Sequence, residues 1–417
     1  MSSPARRRLS LPRLAWIHLW AKPLMSVLNL LLLVLGFGAI TFVILASEQT
    51  EQQLQRNLAG VDLVVGAKGS PMQLILSGVF HLDSPTGNIP ASAEAMLRAH
   101  PFVAQVIPLA LGDSAQGFRI VGTTSAYADQ YKARYREGQW GAQPLQAVIG
   151  AEVARTQGWR VGQRFAGSHG LASGAGSLSD HADQPFTITG VLEPTGSVID
   201  RLILTPVESV WAVHEAHHGD EDEAHDDHDA HAPPAPPREL TLLLVRYRSP
   251  LAAVSLPRWV NSQGPLQSAS PALEAARLFK MVGVGIEVLQ GFAAVLLLAA
   301  GLSVFIALTH AVRERQPELA MMRMLGASPA RVSITVVLEA LLLALLGAAL
   351  GLALGHALTH GVGQLLHTQQ SITLTGTWVS PQEAWIPLLA VGLALLACLG
   401  PTWRAYRTLL LPLLQPR

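Results

Sequence analysis

The chain has 417 residues, 50% of them hydrophobic and 14% charged, with 29 Lys and Arg against 29 Asp and Glu. A mean hydropathy of +0.33 is too apolar for a soluble protein of this length. The zero net charge removes the bulk basic field that nucleic-acid binding needs, and the single cysteine, Cys398, excludes an internal disulfide framework and Cys-pair zinc sites.

Residues 1–23 carry Arg6, Arg7, Arg8, Arg13 and Lys22 ahead of the first long apolar run, Leu24–Leu45. A bilayer span needs about 20 mostly apolar residues, and this run is long enough. Glu48, Gln49 and Glu51 follow it rather than a small-residue cleavage site, so the reading is an uncleaved anchor.

Residues 46–280 then change character. Short β-rich pieces recur at 61–65, 118–122, 147–150, 186–192, 201–205 and 240–247, between helical patches at Ser92–Ala99 and Ala151–Gln157. This predicts an α+β domain large enough for its own core. "GAKGSP" (Gly66–Pro71) lacks phosphate-loop spacing, so any ATP hydrolysis belongs to another chain. The stretch Gly69–Pro90, dense in turn formers around an apolar patch, reads as a loop that packs the domain on the membrane. Between 212 and 237 the composition turns to His214, His217, His218, His225, His228 and His231 interleaved with acids and ended by prolines. Nothing apolar anchors this segment, which predicts a disordered loop. Imidazole with carboxylate is also a ligand set for Zn²⁺ and other divalent metals, though no spacing here fixes one tetrahedral site.

Residues 281–401 hold three more apolar runs, at about 283–309, 330–358 and 384–401. Between the first two lies "RERQPELAMMRMLGASPARV" (Arg313–Val332). Pro317 and Glu318 read as a helix start, Leu319, Met322 and Leu325, with Met321 and Met324, as an apolar stripe beside Arg323, and Gly326 as the stop. Ser328–Pro329 opens the next helix. The segment 317–325 is thus a short amphipathic helix, too short to be stable without something to pack on. Two partners suit it, membrane lipid headgroups or the groove of a soluble protein. In the next run, Gly347, Gly351 and Gly355 form a smooth stripe for close approach by another backbone. The spacing admits the second or fourth span, or a second copy of the chain. Glu339, about two turns in, reads either as a structural hydrogen bond near the boundary or as a proton or substrate site. His356 and His360 could share a metal, but no acid lies near them in sequence.

Arginines recur at 313, 315, 323 and 331 and in the 402–417 tail, while residues 359–383 contain no Arg or Lys. The positive-inside rule then places both termini and the 310–332 loop in the cytoplasm. The fold class is a membrane protein with four transmembrane α-helices, one plus three, and a large extracytoplasmic α+β domain between the first two.

The run Val312–Val332 followed by "LEALLLALLGAALGLALG" (Leu338–Gly355) resembles the signature of FtsX/MacB-type ABC transporter permeases, departing from it at Gln316 and Pro317. Arg323, Gly326, Ala327, Ser328, Glu339, Gly347 and Gly351 occupy its motif positions. The tail Gly400–Pro412 is similar to the family's ending, and Ala147–Phe165 resembles a piece of the MacB-like periplasmic core. The resemblance implies a multi-pass protein of the bacterial inner membrane, without catalytic residues or a cofactor of its own. It implies that Pro317–Leu325 meets a separate cytoplasmic ABC ATPase, that two copies act as a homodimer, and that ATP hydrolysis moves the periplasmic domain. Two further readings are an FtsX-like signalling scaffold for a periplasmic or lipoprotein partner, and metal-linked transport or sensing through the histidine-rich loop.

Overall fold

The computed structural model describes residues 11–58, 60–169, 184–213, 238–317, 321, 324, 326, 328–369 and 374–406. The chain divides into two compact units, Gln52–Lys280 and a second made of Met1–Glu51 with Met281–Arg417.

In chain order, α1 is Leu11–Trp20 and α2 is Pro23–Leu58. The α+β unit follows, with β1 (Leu63–Ala67), α3 (Pro71–Gly78), β2 (Ile89–Pro90), α4 (Ser92–Arg98), β3 (Val103–Ala115) and β4 (Phe118–Thr123). Next come α5 (Ser125–Gln130), β5 (Tyr135–Gly138), β6 (Gln146–Ile149), α6 (Ala151–Gln157), β7 (Arg164–Phe165), β8 (Ser168–His169), β9 (Phe186–Leu192) and β10 (Leu202–Pro206). Then β11 (Glu239–Leu240), β12 (Leu242–Tyr247), α7 (Ala252–Asn261) and β13 (Leu266–Ala269) complete it. Three long helices follow: α8 (Pro271–Glu314), α9 (Pro329–Gln369) and α10 (Trp385–Tyr406).

The α+β unit is built on a sheet of order β13-β1-β12-β3-β4-β10-β6-β9-β5. Its pairs are antiparallel except β10 with β4 and β6 with β9. Both faces are covered. Along β12, Leu242 and Leu244 enter one apolar cluster, with Ile107, Leu109 and Leu74, whereas Leu243 and Val245 enter another, with Leu63, Val106 and Leu256. The period of two sends alternate side chains to opposite faces, and burial on both explains the unbroken Leu-Leu-Leu-Val run. The longest strand, β3, left no clear sequence signal, because Pro108 and Gly112 interrupt it. Its register with β4 shifts between Leu111 and Ser114.

Gly69–Pro90 differs from the expected membrane-packing loop. It contains α3, started by Ser70–Pro71, and the apolar residues Leu74, Ile75, Val79 and Phe80 are buried in this unit's own core.

Among the described residues four helices are long and apolar enough to cross a membrane, at Pro23–Leu58, Pro271–Glu314, Ser333–Leu365 and Pro381–Arg404. They outrun the apolar windows, because residues such as Gln52–Leu58 contain no helix breaker. Prolines open α2, α8 and α9, where the missing N–H costs nothing. The helical unit has its own core, in which Ala340, Ala344 and Ala348 of α9 meet Ala390, Ala394 and Ala397 of α10 and Ala300 of α8.

Candidate functional site

The glycine stripe of α9 faces α2. A Cβ on Gly347 would stand 2.6 Å from Leu33 Cβ, one on Gly351 2.6 Å from Phe37 Cβ, and one on Gly355 2.4 Å from Thr41 Cβ. Gly38 of α2 answers the stripe, since a Cβ there would lie 3.3 Å from the Gly351 carbonyl oxygen. The partner is therefore the first long helix, rather than α8, α10 or a second copy. Sequence spacing showed that something approaches closely, and only the packing shows what.

The connection from α8 to α9 begins at Arg315. Gln316 and Pro317 are helical, as are Met321 and Met324, whose side chains are 62% and 63% exposed. Gly326 has φ +94°, the left-handed region in which glycine ends a helix. Ser328 precedes α9, and its carbonyl accepts from Arg331 N at 3.0 Å. Glu318, Leu319, Met322, Arg323 and Leu325 lie outside the described residues.

Beside this connection sits Glu339, 6% exposed on α9. Its Oε1 accepts from His18 Nδ1 at 2.7 Å and from Arg315 Nη1 at 2.9 Å. Arg315 Nη2 donates to the His18 carbonyl at 3.1 Å. An ion pair between Lys22 and Glu314 flanks this cluster. Asn29, buried on α2, accepts from Ser303 Oγ at 2.6 Å. A cavity of about 60 Å³ lies among His18, Lys22, Asn29, Arg315 and Glu339. Glu339 is thus bonded within the protein, a carboxylate placed out of water and stabilised by a guanidinium and a second donor.

A second polar cluster joins the other ends of α2 and α9 to the turn before α10. His356 has its Nδ1 2.8 Å from the Gly376 carbonyl and its Nε2 3.1 Å from Glu383. Glu383 also caps the turn before α10 by accepting from Ser380 N, and Ser380 Oγ donates to Glu48 of α2 at 2.5 Å. Gln49 binds Thr375 through both its side-chain atoms. The acid missing from the sequence around His356 is thus Glu383, and His360 instead neighbours Gln364 at 3.0 Å. Among the described residues no group of three or more His, Cys, Asp or Glu could hold a metal.

In the α+β unit the last turn of α2 is part of the core. Leu54 and Leu58 pack there, Asn57 Oδ1 accepts from Val198 N at 2.9 Å, and its carbonyl accepts from Tyr131 at 3.2 Å. His81 pairs with the Tyr127 hydroxyl at 2.9 Å. Burial, helped by the charge of Arg119, lowers His81 to about 3, so the ring is neutral, and burial pushes Tyr131 up to about 12. His214, His217, His218, His225, His228 and His231 lie outside the described residues. On either side of them, Trp211 Nε1 donates to the Glu239 carbonyl at 2.7 Å, and the Arg238 guanidinium stands 4.9 Å over the Trp211 ring.

The sequence signals no role for His18 or Glu383, and shows Lys22, Arg315 and Glu48 only as charges flanking the apolar runs, without their partners. His18 and Glu339 are 321 residues apart, a separation across which no periodicity signals contact.

Known proteins resemble both units. The model of the MacB-like periplasmic core domain matches residues 26–251, and that of the FtsX-like permease C-terminal region matches residues 291–410. Among solved structures, the periplasmic region of MacB from Actinobacillus actinomycetemcomitans is 12% identical, at a TM-score of 0.33, over 54% of this chain and 98% of that one. The extracellular domain of the noncanonic ABC-type transporter YknZ from Gram-positive bacteria is 13% identical, at a TM-score of 0.30, over 50% of this chain and 99% of that one. No curated protein matches the chain.

Proposed function

We propose that this chain, which belongs to the FtsX-like ABC transporter permeases with a MacB-like periplasmic core, couples a separate cytoplasmic ATPase to movement of its periplasmic domain. The observation that carries the reading is the α8–α9 connection. It offers Met321 and Met324 to solvent between helical Pro317 and the glycine stop Gly326. Methionine adapts to a partner's groove, and a helix this short is stable only against one. Pro317, Glu318, Leu319, Met322, Arg323, Leu325 and Gly326 are the gripping residues.

In this reading both termini and the connection face the cytoplasm of a bacterial cell, and the protein crosses the inner membrane four times. Closure of the ATPase pushes on 317–325, and α8, α9 and α10 pass the displacement to α2. The cargo is handled on the periplasmic side, alone or with a periplasmic or lipoprotein partner. A second copy of the chain joins through a surface other than the glycine stripe, which α2 already fills.

Leu325→Glu tests the docking. The expected result is normal membrane insertion with loss of the co-purifying ATPase. Wild-type recovery of the ATPase removes the docking role. Recovery of a periplasmic hydrolase with the wild-type chain favours the signalling-scaffold variant of the same machine.

The histidine-rich loop supports a second, narrower role, capture of a divalent metal. Its flanks are fastened together by Trp211, Arg238 and Glu239, which keeps the ends of the segment close. Titration of Zn²⁺ into the wild-type chain and into one lacking residues 214–231 tests it. Equal affinities rule the role out.

A further inference from the structure

We propose that Glu339 is a positioning residue that fastens the α8–α9 connection to α1, so that a push on residues 316–326 also reaches α1 and α2. The proposal rests on the docking reading and adds to it a route for the displacement.

Three observations carry it. First, Arg315 is where the force would enter: it follows the last residue of α8 and precedes Pro317 by two positions. Second, its guanidinium is shared between two other elements. Nη1 donates to Glu339 of α9 and Nη2 to the backbone carbonyl of His18 on α1. A planar fork held at both prongs moves with what it holds, where a lysine ammonium would swivel. Third, the same Glu339 oxygen takes the His18 ring, so α1 is held through both its backbone and its side chain. Lys22 and Glu314 repeat the link between the α1–α2 turn and the end of α8 on a more exposed flank.

These bonds lie at the turn through which α8 leaves for the connection. The adjoining cavity of about 60 Å³ gives the polar groups room to shift without parting the apolar contacts of α8 and α9. Glu339 touches no gripping residue among those described, so docking of the ATPase and transmission through Glu339 are separable.

The test uses the full chain with its co-purifying ATPase in inside-out membrane vesicles. Cys398→Ser removes the native thiol, and Arg13→Cys places a probe on the exposed face of α1. The readout is the rate of labelling by a membrane-impermeant maleimide, without nucleotide and with ATP trapped by vanadate. The expected result is a several-fold change on trapping in this parent. Glu339→Gln, which keeps shape and removes charge, abolishes the change while the ATPase still co-purifies at the parental level. Arg315→Lys, which keeps the charge but not the two-pronged fork, lowers the change several-fold while the ATPase is recovered at the parental level, which a role of the charge alone would not produce. If Glu339→Gln fails to reach the membrane, Arg315→Lys alone decides.

An unchanged response in Glu339→Gln overturns the proposal. So does a parent whose labelling ignores the nucleotide, or an Arg315→Lys chain that responds as the parent does. Loss of the ATPase from Glu339→Gln also overturns it, because the residue then acts in docking. Failure of the parent itself to hold any ATPase refutes the docking reading, and this one with it.

Discussion

The two units solve the same problem, holding a chain in one arrangement, by opposite means. The α+β unit buries large side chains on both faces of one sheet, and Phe186, Ile107, Leu109 and Tyr127 are wholly enclosed. Water drives that burial at about 25 cal/mol per Å². The helical unit exposes many of its large apolar residues, as with Leu298, Phe292 and Leu396, and packs others, such as Leu33 and Phe37, closely against alanine and glycine. Lipid supplies no hydrophobic force between helices, so close backbone approach and a few polar bonds must do the joining. The difference teaches where each unit is vulnerable: the first to lost volume, the second to added volume and to broken polar ends.

Removing volume from the sheet sharpens the contrast most. Phe186→Ala is expected to cost the α+β unit about 3–5 kcal/mol, read as a lowered melting transition. A pH ramp reaches the same core by another route. His81 is held at about 3 in the fold and titrates near 6.5 unfolded, so the unfolded chain binds the extra proton first. Its contribution is whole above pH 6.5 and is lost as pH falls toward 3, on the order of 5 kcal/mol in all. His81→Asn, which tolerates the positive φ, is expected to flatten stability across that window.

Adding volume is the matching attack on the bundle. Gly351→Leu drives a side chain into Phe37 and the Gly38 backbone and is expected to cost about 1–3 kcal/mol. Loss of disulfide cross-linking between cysteines placed on α2 and α9 would register the separation, and intact cross-linking would contradict the stripe's role. Smallest of all, Leu298→Ala on the outer face of α8 is expected to change stability by less than about 0.5 kcal/mol. A large loss there would mean that this face is covered by protein.

What could be read in advance follows the range of the interactions involved. Local patterns sufficed for the four apolar runs, for α6 at Ala151–Gln157 and for β9 at Phe186–Leu192, whose bounds are those observed. The start at Pro329 and the left-handed glycine at 326 were legible for the same reason: each acts on its own backbone. Helix α1 was missed, although Trp16 and Trp20 stand on it, because the charge of residues 1–23 dominated the reading. Strand β3 was hidden by a proline that its sheet accommodates.

By itself the sequence determined which segments are apolar enough to leave water, which are helical or extended, and which turns separate them, since those properties reside in neighbouring residues. Only the tertiary structure decided who meets whom: the stripe at Gly347, Gly351 and Gly355 with α2, Glu339 with His18 and Arg315, and His356 with Glu383. A small side chain or a buried charge demands a partner without specifying one, and the partner is chosen when the whole chain packs.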